Sequence, residues 1–221
     1  MSDKLPLLLI EMVLLPGTQA ILRLEDEKAY AVVNQACKDD MPVGILFCKD
    51  ADNARETAAS VGCLAEITEC KAYEDGGFMA RLEGSERFRP ENIVKQQNDM
   101  YLADYTPLPQ DIDMALDDDI FDSIVHLLDI YLDYLETIDP ELVEDMPEDL
   151  SGYDLTFLAL DHMSVSEEVR QKALETGSLK ERAQFCLSLL RQEIERLKFL
   201  IEGAAQAEEI DDEDIRPERL N

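Results

Sequence analysis

The hydrophobic positions change period once along this chain, close to its middle. Up to about residue 110 the apolar stretches are short and of strand length. Leu5 to Leu9 and Ala20 to Leu24 flank the turn dipeptide Pro16-Gly17. Val43 to Cys48 is a continuous apolar run, and Val61 to Tyr73 alternates loosely. Asp75-Gly76-Gly77 is a hairpin signal ahead of Phe78 to Leu82. Arg87-Phe88-Arg89, Ile93-Val94 and Tyr101 to Tyr105 continue the strand pattern, and Gly84 to Arg87 reads as a turn between strands. One helix, Glu27 to Lys38, interrupts it with Ala29, Val32, Val33 and Ala36 on one face. Several short strands with one early helix predict a small, partly closed β-barrel.

After Thr106-Pro107-Leu108-Pro109 the spacing becomes helical. Ile120, Phe121, Ile124, Leu127, Leu128, Tyr131, Leu135 and Ile138 mark a helix within Leu116 to Ile138. Pro140 to Gly152 reads as an acidic loop and Asp154 to Met163 as a short helix. Ser164-x-x-Glu167 offers a capping box for the next helix, which Gly177 would end in the left-handed conformation. Ser178-x-x-Glu181 caps the last helix. Its apolar residues Ala183, Leu187, Leu190, Ile194, Leu197, Ile201 and Ala204 step alternately by 4 and 3. That seam is expected to pack on the chain's own helices; the rival is a homodimer through the helical half. The organisation expected is thus a β subdomain over residues 1–110, a helical subdomain over 111–207 and a flexible acidic tail over 208–221.

Charge narrows the list of partners. The chain has 221 residues, 50 of them acidic and 20 basic, for a net charge of −30. Residues 111–221 alone hold 31 acids against 9 bases. Such a surface is poor in the cations that displace counterions from a phosphate backbone, so no nucleic acid is expected as a partner, and an anionic membrane is disfavoured. No apolar stretch reaches the roughly 20 residues of a membrane span. The start, Met1-Ser2-Asp3-Lys4, has no basic n-region. Cys37, Cys48, Cys63, Cys70 and Cys186 are odd in number and lack Cys-x-x-Cys spacing. They read as free, mostly buried thiols in a reducing compartment, so the expected address is the cytoplasm.

Catalytic patterns are sparse. Neither phosphate-binding glycine loop occurs, nor does the Gly-x-Ser-x-Gly elbow. Ser85 sits beside charges, but nothing supplies it with a base. His126 and His162 lie among apolar residues and read as partly buried packing histidines. Asp117-Asp118-Asp119 precedes a helix, where carboxylates suit the N-terminal dipole; consecutive residues point apart and seldom converge on one metal ion. No catalytic residue, metal ligand or cofactor is therefore assigned. An unrecognised hydrolase on the acidic half and an RNA-binding protein are the alternative readings.

The order of short motifs resembles the N-terminal domain of Lon proteases. Leu5-Pro6-Leu7 followed by Val13-Leu14-Leu15-Pro16-Gly17 is similar to that family's opening. Leu22-Arg23-Leu24 with Tyr30, Val43 to Leu46, and Val61-Gly62-Cys63-Leu64-Ala65-Glu66-Ile67 follow in the family's order. Glu25-Asp26-Glu27 departs from its aromatic-acidic-Pro signature. The most specific piece is Leu82-Glu83-Gly84-Ser85-Glu86-Arg87-Phe88-Arg89, similar to a hairpin ending in Gly-x-x-Arg-Phe. Leu155 to Leu190 resembles the helical subdomain that follows. The likeness implies a PUA-like pseudo-barrel, then a helical bundle ending in a long helix. It implies recognition of unfolded or exposed apolar polypeptide segments, or of a protein partner, without the ATPase phosphate loop and the Ser-Lys dyad. An adaptor or regulator in protein quality control follows as the expectation. The family hands over no compact set of binding residues. Pro16, Gly17, Gly84, Arg87 and Phe88 carry the match and are expected to determine the fold, Gly84 through a turn that needs a permissive backbone and Phe88 in the core.

The charge balance makes a first prediction. In a low-salt mobility-shift assay, structured and single-stranded RNA are expected to migrate unretarded with the protein in large excess; a saturable shift would restore the RNA reading.

Overall fold

The computed structural model describes residues 4–24, 27–39, 41–50, 53–72, 78–96, 100–109, 115–140, 147 and 150–214. The first half is built on six strands: β1 Leu5–Ile10, β2 Gln19–Leu24, β3 Val43–Phe47, β4 Gly62–Ala72, β5 Phe78–Lys95 and β6 Tyr101–Pro107. Helix α1, Glu27–Asp39, follows β2, and the single turn α2, Ala54–Thr57, lies between β3 and β4.

The strands close on themselves. β1 runs parallel to β3 and antiparallel to β6, β4 lies between β3 and β5, and β5 pairs with β6 to complete the ring. β5 can serve three neighbours because it is long and irregular. Its first part also holds β2, with Gln19 opposite Glu83 and Leu24 opposite Phe78. Its last part bends onto β6 across a register shift where Asn92 takes a positive φ of 50°. The predicted hairpin at Asp75-Gly76-Gly77 lies outside the described residues, but the strands on either side do pair, Ala72 opposite Phe78.

Period-two alternation divides the apolar side chains between two cores. Leu5, Leu7, Leu64, Phe88 and Ala103 fill the ring. Leu8, Ile45, Ala80 and Leu82 face the other way and are covered by Val32, Val33 and Ala36 of α1, which are the predicted helix positions.

Gly84 has a different role from the one expected. It lies within β5, not in a turn, and its φ is not positive. The β1–β2 loop crosses there at backbone distance. Gly17 N donates to Gly84 O at 2.8 Å, Gly84 N donates to Thr18 O at 2.9 Å, and a Cβ on residue 84 would collide with Leu15 O. The loop makes its own turn at Gly17, whose φ is +76°, a conformation that favours glycine.

Among the described residues of the second half there are four helices: α3 Asp118–Ile138, α4 Gly152–His162, α5 Glu167–Glu175 and α6 Leu179–Asp214. The α6 seam packs on the chain's own helices: Ala183, Leu190, Ile194 and Leu197 are buried with Ile124, Leu128 and Tyr131 of α3 and Phe157 and Leu160 of α4. Val13, Leu15 and Val61 from the strand half join the same cluster, so one core runs across the junction. Ser178 caps α6 as expected, accepting from Glu181 N at 3.3 Å. The helix continues through Asp214, beyond Ala207 where the flexible tail was expected to begin. Glu208, Glu209 and Glu213, good helix formers, lie in that stretch. Among the described residues no helix is long and apolar enough to cross a membrane.

Two further expectations are corrected at α5. Its N-cap is Ser166, not Ser164, and no side-chain bond caps it. The Glu167 carboxylate instead accepts from Val13 N at 2.6 Å and pairs with Arg170 at 2.9 Å. Nor does Gly177 adopt a left-handed conformation; the helix closes through Thr176 N, which donates to Lys172 O and Ala173 O.

Helix α5 therefore acts as a strap. Glu167, Gln171 and Glu175, spaced one turn apart, all reach the strand half: Gln171 Nε2 donates to Val61 O at 3.0 Å, and Ser60 Oγ donates to Glu175 at 3.4 Å. The C-terminal carbonyls of the strap receive two buried guanidiniums. Arg87 of β5, 2% exposed, donates to Leu174 O at 3.2 Å, Thr176 O at 3.1 Å and Pro109 O at 3.1 Å. Arg182 of α6, 0% exposed, donates to Thr176 O at 3.0 Å and Thr156 Oγ1 at 2.9 Å. Arg182 also stacks over the rings of Phe157 and Tyr153, 4.3 and 4.8 Å from their centroids.

Replacing Arg87→Met keeps much of the stem but leaves three carbonyls without this charged donor. The expected loss is about 3 kcal/mol, read as a lower denaturant midpoint, whereas Arg89→Met at an exposed neighbouring position leaves the midpoint almost unchanged. Equal effects of the two would remove the special role given to Arg87.

Candidate binding surface

The residues that first suggested chemistry are not brought together. His126 is exposed on α3, because Ile124 and Leu128 take the core face beside it; the expected burial is not found. His162 is half-buried at the end of α4 with Nδ1 2.9 Å from Leu158 O, a local helix contact. Asp117 is the N-cap residue of α3 but makes no side-chain cap bond, and with Asp118 and Asp119 it edges an open depression around Leu116 and Ile120. Ser85 Oγ donates to Leu64 O at 3.3 Å. Among the described residues no group of His, Cys, Asp and Glu is arranged to hold a metal ion.

The thiols divide by environment. Cys48, Cys63 and Cys186 are buried, while Cys37 and Cys70 are exposed. Burial pushes the Cys63 and Cys186 thiols up to about 12, so both stay neutral and unreactive at physiological pH. Cys186 Sγ donates to Thr156 O at 3.2 Å, which places it in the same buried network as Arg182.

What the molecule does offer is a cleft of about 610 Å³ where the end of α1 passes over the sheet. Met41 and Pro42, just after the helix, form one wall with Ala36. Ile67 of β4 adds apolar lining beside the largely buried Leu64, and the exposed carboxylates Glu66 and Glu86 complete it. The geometry follows from the topology. β4 and β5 are neighbours, with Cys63 opposite Arg87 and Glu66 opposite Glu83, so both strands contribute to the lining. Elsewhere among the described residues, Ile21, Val94 and Ile138 stand exposed, as do the neighbours Phe199 and Leu200 on α6, at 76% and 52%.

The family model described as the ATP-dependent protease La (LON) substrate-binding domain matches residues 4–192, most of the chain. The chain belongs to the Lon substrate-binding domain family. Among curated relatives, the Lon protease of Methylocella silvestris is 28% identical over 193 residues, and Lon protease 1 of Bdellovibrio bacteriovorus is 26% identical over 194. Each alignment takes in 85% of this chain but only 24% of the relative. The chain thus spans about a quarter of the length of those Lon proteases. Two solved structures share the fold. The Lon N-terminal domain protein from Xanthomonas campestris superposes with a TM-score of 0.61 at 22% identity, covering 84% of this chain and 98% of that one. The N-terminal domain of the Mycobacterium avium complex Lon protease gives 0.67 at 18%, covering 86% and 98%.

The residues of the Lon resemblance divide: Leu64, Glu66 and Ile67 of the Val61-to-Ile67 stretch line the cleft, while the most specific ones lie at the junction and in the ring. Pro16 and Gly17 make the crossing loop, Gly84 receives it, Arg87 binds the strap and Phe88 fills the ring. Arg182 was missed, although an arginine between Leu179, Ala183 and Cys186 in an apolar helix stripe was its signal. The cleft had no signal in sequence, since it joins Met41 to Ile67 and Glu86 only through the fold.

Thiol labelling tests this arrangement. With an aromatic disulfide reagent, Cys37 and Cys70 are expected to react quickly in the native protein and Cys48, Cys63 and Cys186 only after unfolding. Fast native labelling of Cys63 or Cys186 would contradict the cores described here.

Proposed function

We propose that this protein is a non-catalytic polypeptide-binding module that captures exposed apolar segments in the cleft between α1 and the β4–β5 strands. The observation that supports the reading is a cleft whose lining combines Met41 and Ile67 with the carboxylates Glu66 and Glu86, in a chain of the Lon substrate-binding family. Ile67 and Met41 offer apolar area, and Glu66 and Glu86 favour a segment whose apolar residues are flanked by Lys or Arg. The net charge of −30 extends the same preference over longer range and repels polyanions. Nothing in this reading calls for a cofactor, a metal ion or a membrane. Free thiols fit work in a reducing cytoplasm, and delivery of bound segments to a protease, or control of one, fits the family.

Fluorescence anisotropy with a labelled, unstructured peptide of alternating apolar and basic residues is the direct test. Saturable binding is expected, and Met41→Glu is expected to weaken it roughly tenfold, equivalent to about 1.4 kcal/mol. Phe199→Glu, on the far helix, should leave it unchanged. Loss of binding in Phe199→Glu alone would move the site to α6, and no binding to any such peptide would end the proposal.

A further inference from the structure

Cys37 and Cys70 are far apart in sequence, yet the fold brings both to one edge of α1. On the helix, Tyr30, Val33 and Cys37 follow one another at i, i+3 and i+7 and form a single stripe. Tyr30 stacks on Phe78, ring centroids 3.7 Å apart, and Phe78 lies opposite Ala72 of β4. From Tyr30 to Cys37 the helix advances about 10 Å, the rise of roughly three strand residues. Because Cys37 lines the cleft with Glu66 and Ile67, the helix must run from the Ala72 end of β4 back toward Ile67. Cys37 therefore stands over the part of β4 that contains Cys70.

The strand turns Cys70 to meet it. Ile67 packs with the core under α1, and strict alternation would send Cys70, three residues on, to the opposite face. A register shift between Ile67 and Glu69 breaks the alternation. Cys70 is consequently paired with Ala80, a buried member of the core that α1 covers, and cross-strand partners share a face. The two side chains are thus brought to the same edge of the sheet, both on the face that α1 covers. Burial, followed by the nearness of Cys37, raises the Cys70 thiol above its ordinary value. Both residues are solvent-exposed, unlike the other three cysteines.

We propose that Cys37 and Cys70 form an oxidisable dithiol site, at which a hydroperoxide such as hydrogen peroxide installs a disulfide stapling α1 to β4. In the first step the Cys37 thiolate attacks the peroxide oxygen, giving a sulfenic acid and hydroxide, which takes up a proton to become water. Cys70 sulfur then displaces the sulfenic hydroxyl; the S–S bond forms, the Cys70 proton leaves with that hydroxyl as a second water, and two electrons have passed from the thiols to the peroxide. This goes beyond peptide binding and does not depend on it, although the staple would fix one wall of the cleft.

The test uses the full chain treated with dilute hydrogen peroxide and then mapped by mass spectrometry without reduction. The expected product is an intramolecular Cys37–Cys70 linkage, lighter than the reduced chain by two hydrogens and restored by dithiothreitol. Oxidation is expected to raise the thermal midpoint by about 5–10 °C, and neither Cys37→Ser nor Cys70→Ser, both near the reduced wild type in stability, should show the rise. A chain-to-chain disulfide, a sulfinic acid at Cys37 with Cys70 still free, or a bridge to another cysteine would overturn it.

Discussion

Everything in this fold depends on how the end of a nine-residue helix is satisfied. The last carbonyls of α5 have no partners within the helix and carry the negative end of its dipole. Arg87 comes to them from the strand ring and Arg182 from the long helix, and both donate to the same oxygen, Thr176 O. Burying a guanidinium is costly unless its donors are used and its charge is met. Here carbonyls, a hydroxyl and aromatic faces meet it. The cost is offset only if strand, strap and bundle are all in place, so the junction favours the halves together and penalises either alone.

The remainder of the strand half is arranged so that Arg87 can reach the strap. β5 must present Arg87 to the helices and Phe88 to the ring from adjacent positions, while the β1–β2 loop presses against Gly84 three residues earlier. A side chain at residue 84 would push that loop, and with it Val13 and Leu15, out of the shared core. The strap's other end is tied to this loop as well, since Glu167 accepts from Val13 N. Loop, strand and strap form a closed circuit of short contacts.

Much of this was legible in the residues. Periodicity placed the early helix, the strands and the change to helices, because alternation and i, i+3/i+4 spacing are local consequences of burying one face. The motif ending in Arg87-Phe88 pointed to the right stretch of chain. Its reasons were not legible. Gly84 looks like a turn residue because glycine usually signals backbone freedom, while here it signals the approach of another backbone from sixty-odd residues away. Ser164 and Glu167 look like a capping box because their spacing suits one, but a long-range demand from Val13 takes the carboxylate and the helix starts later. The meeting of Cys37 with Cys70 depends on a strand irregularity, and a one-residue slip leaves no clear trace in composition or period.

The cleft has a property that follows from where the junction is. Met41, Pro42, Ile67 and Glu86 make none of the bonds that join the two halves, and the residues that make them line no part of the cleft. The lining of the cleft and the frame are therefore separable on this scaffold: none of the cleft residues contributes to the contacts that hold strand, strap and bundle together. Substitution at Met41 or Glu86 reshapes the cleft without touching the carbonyls that Arg87 and Arg182 hold.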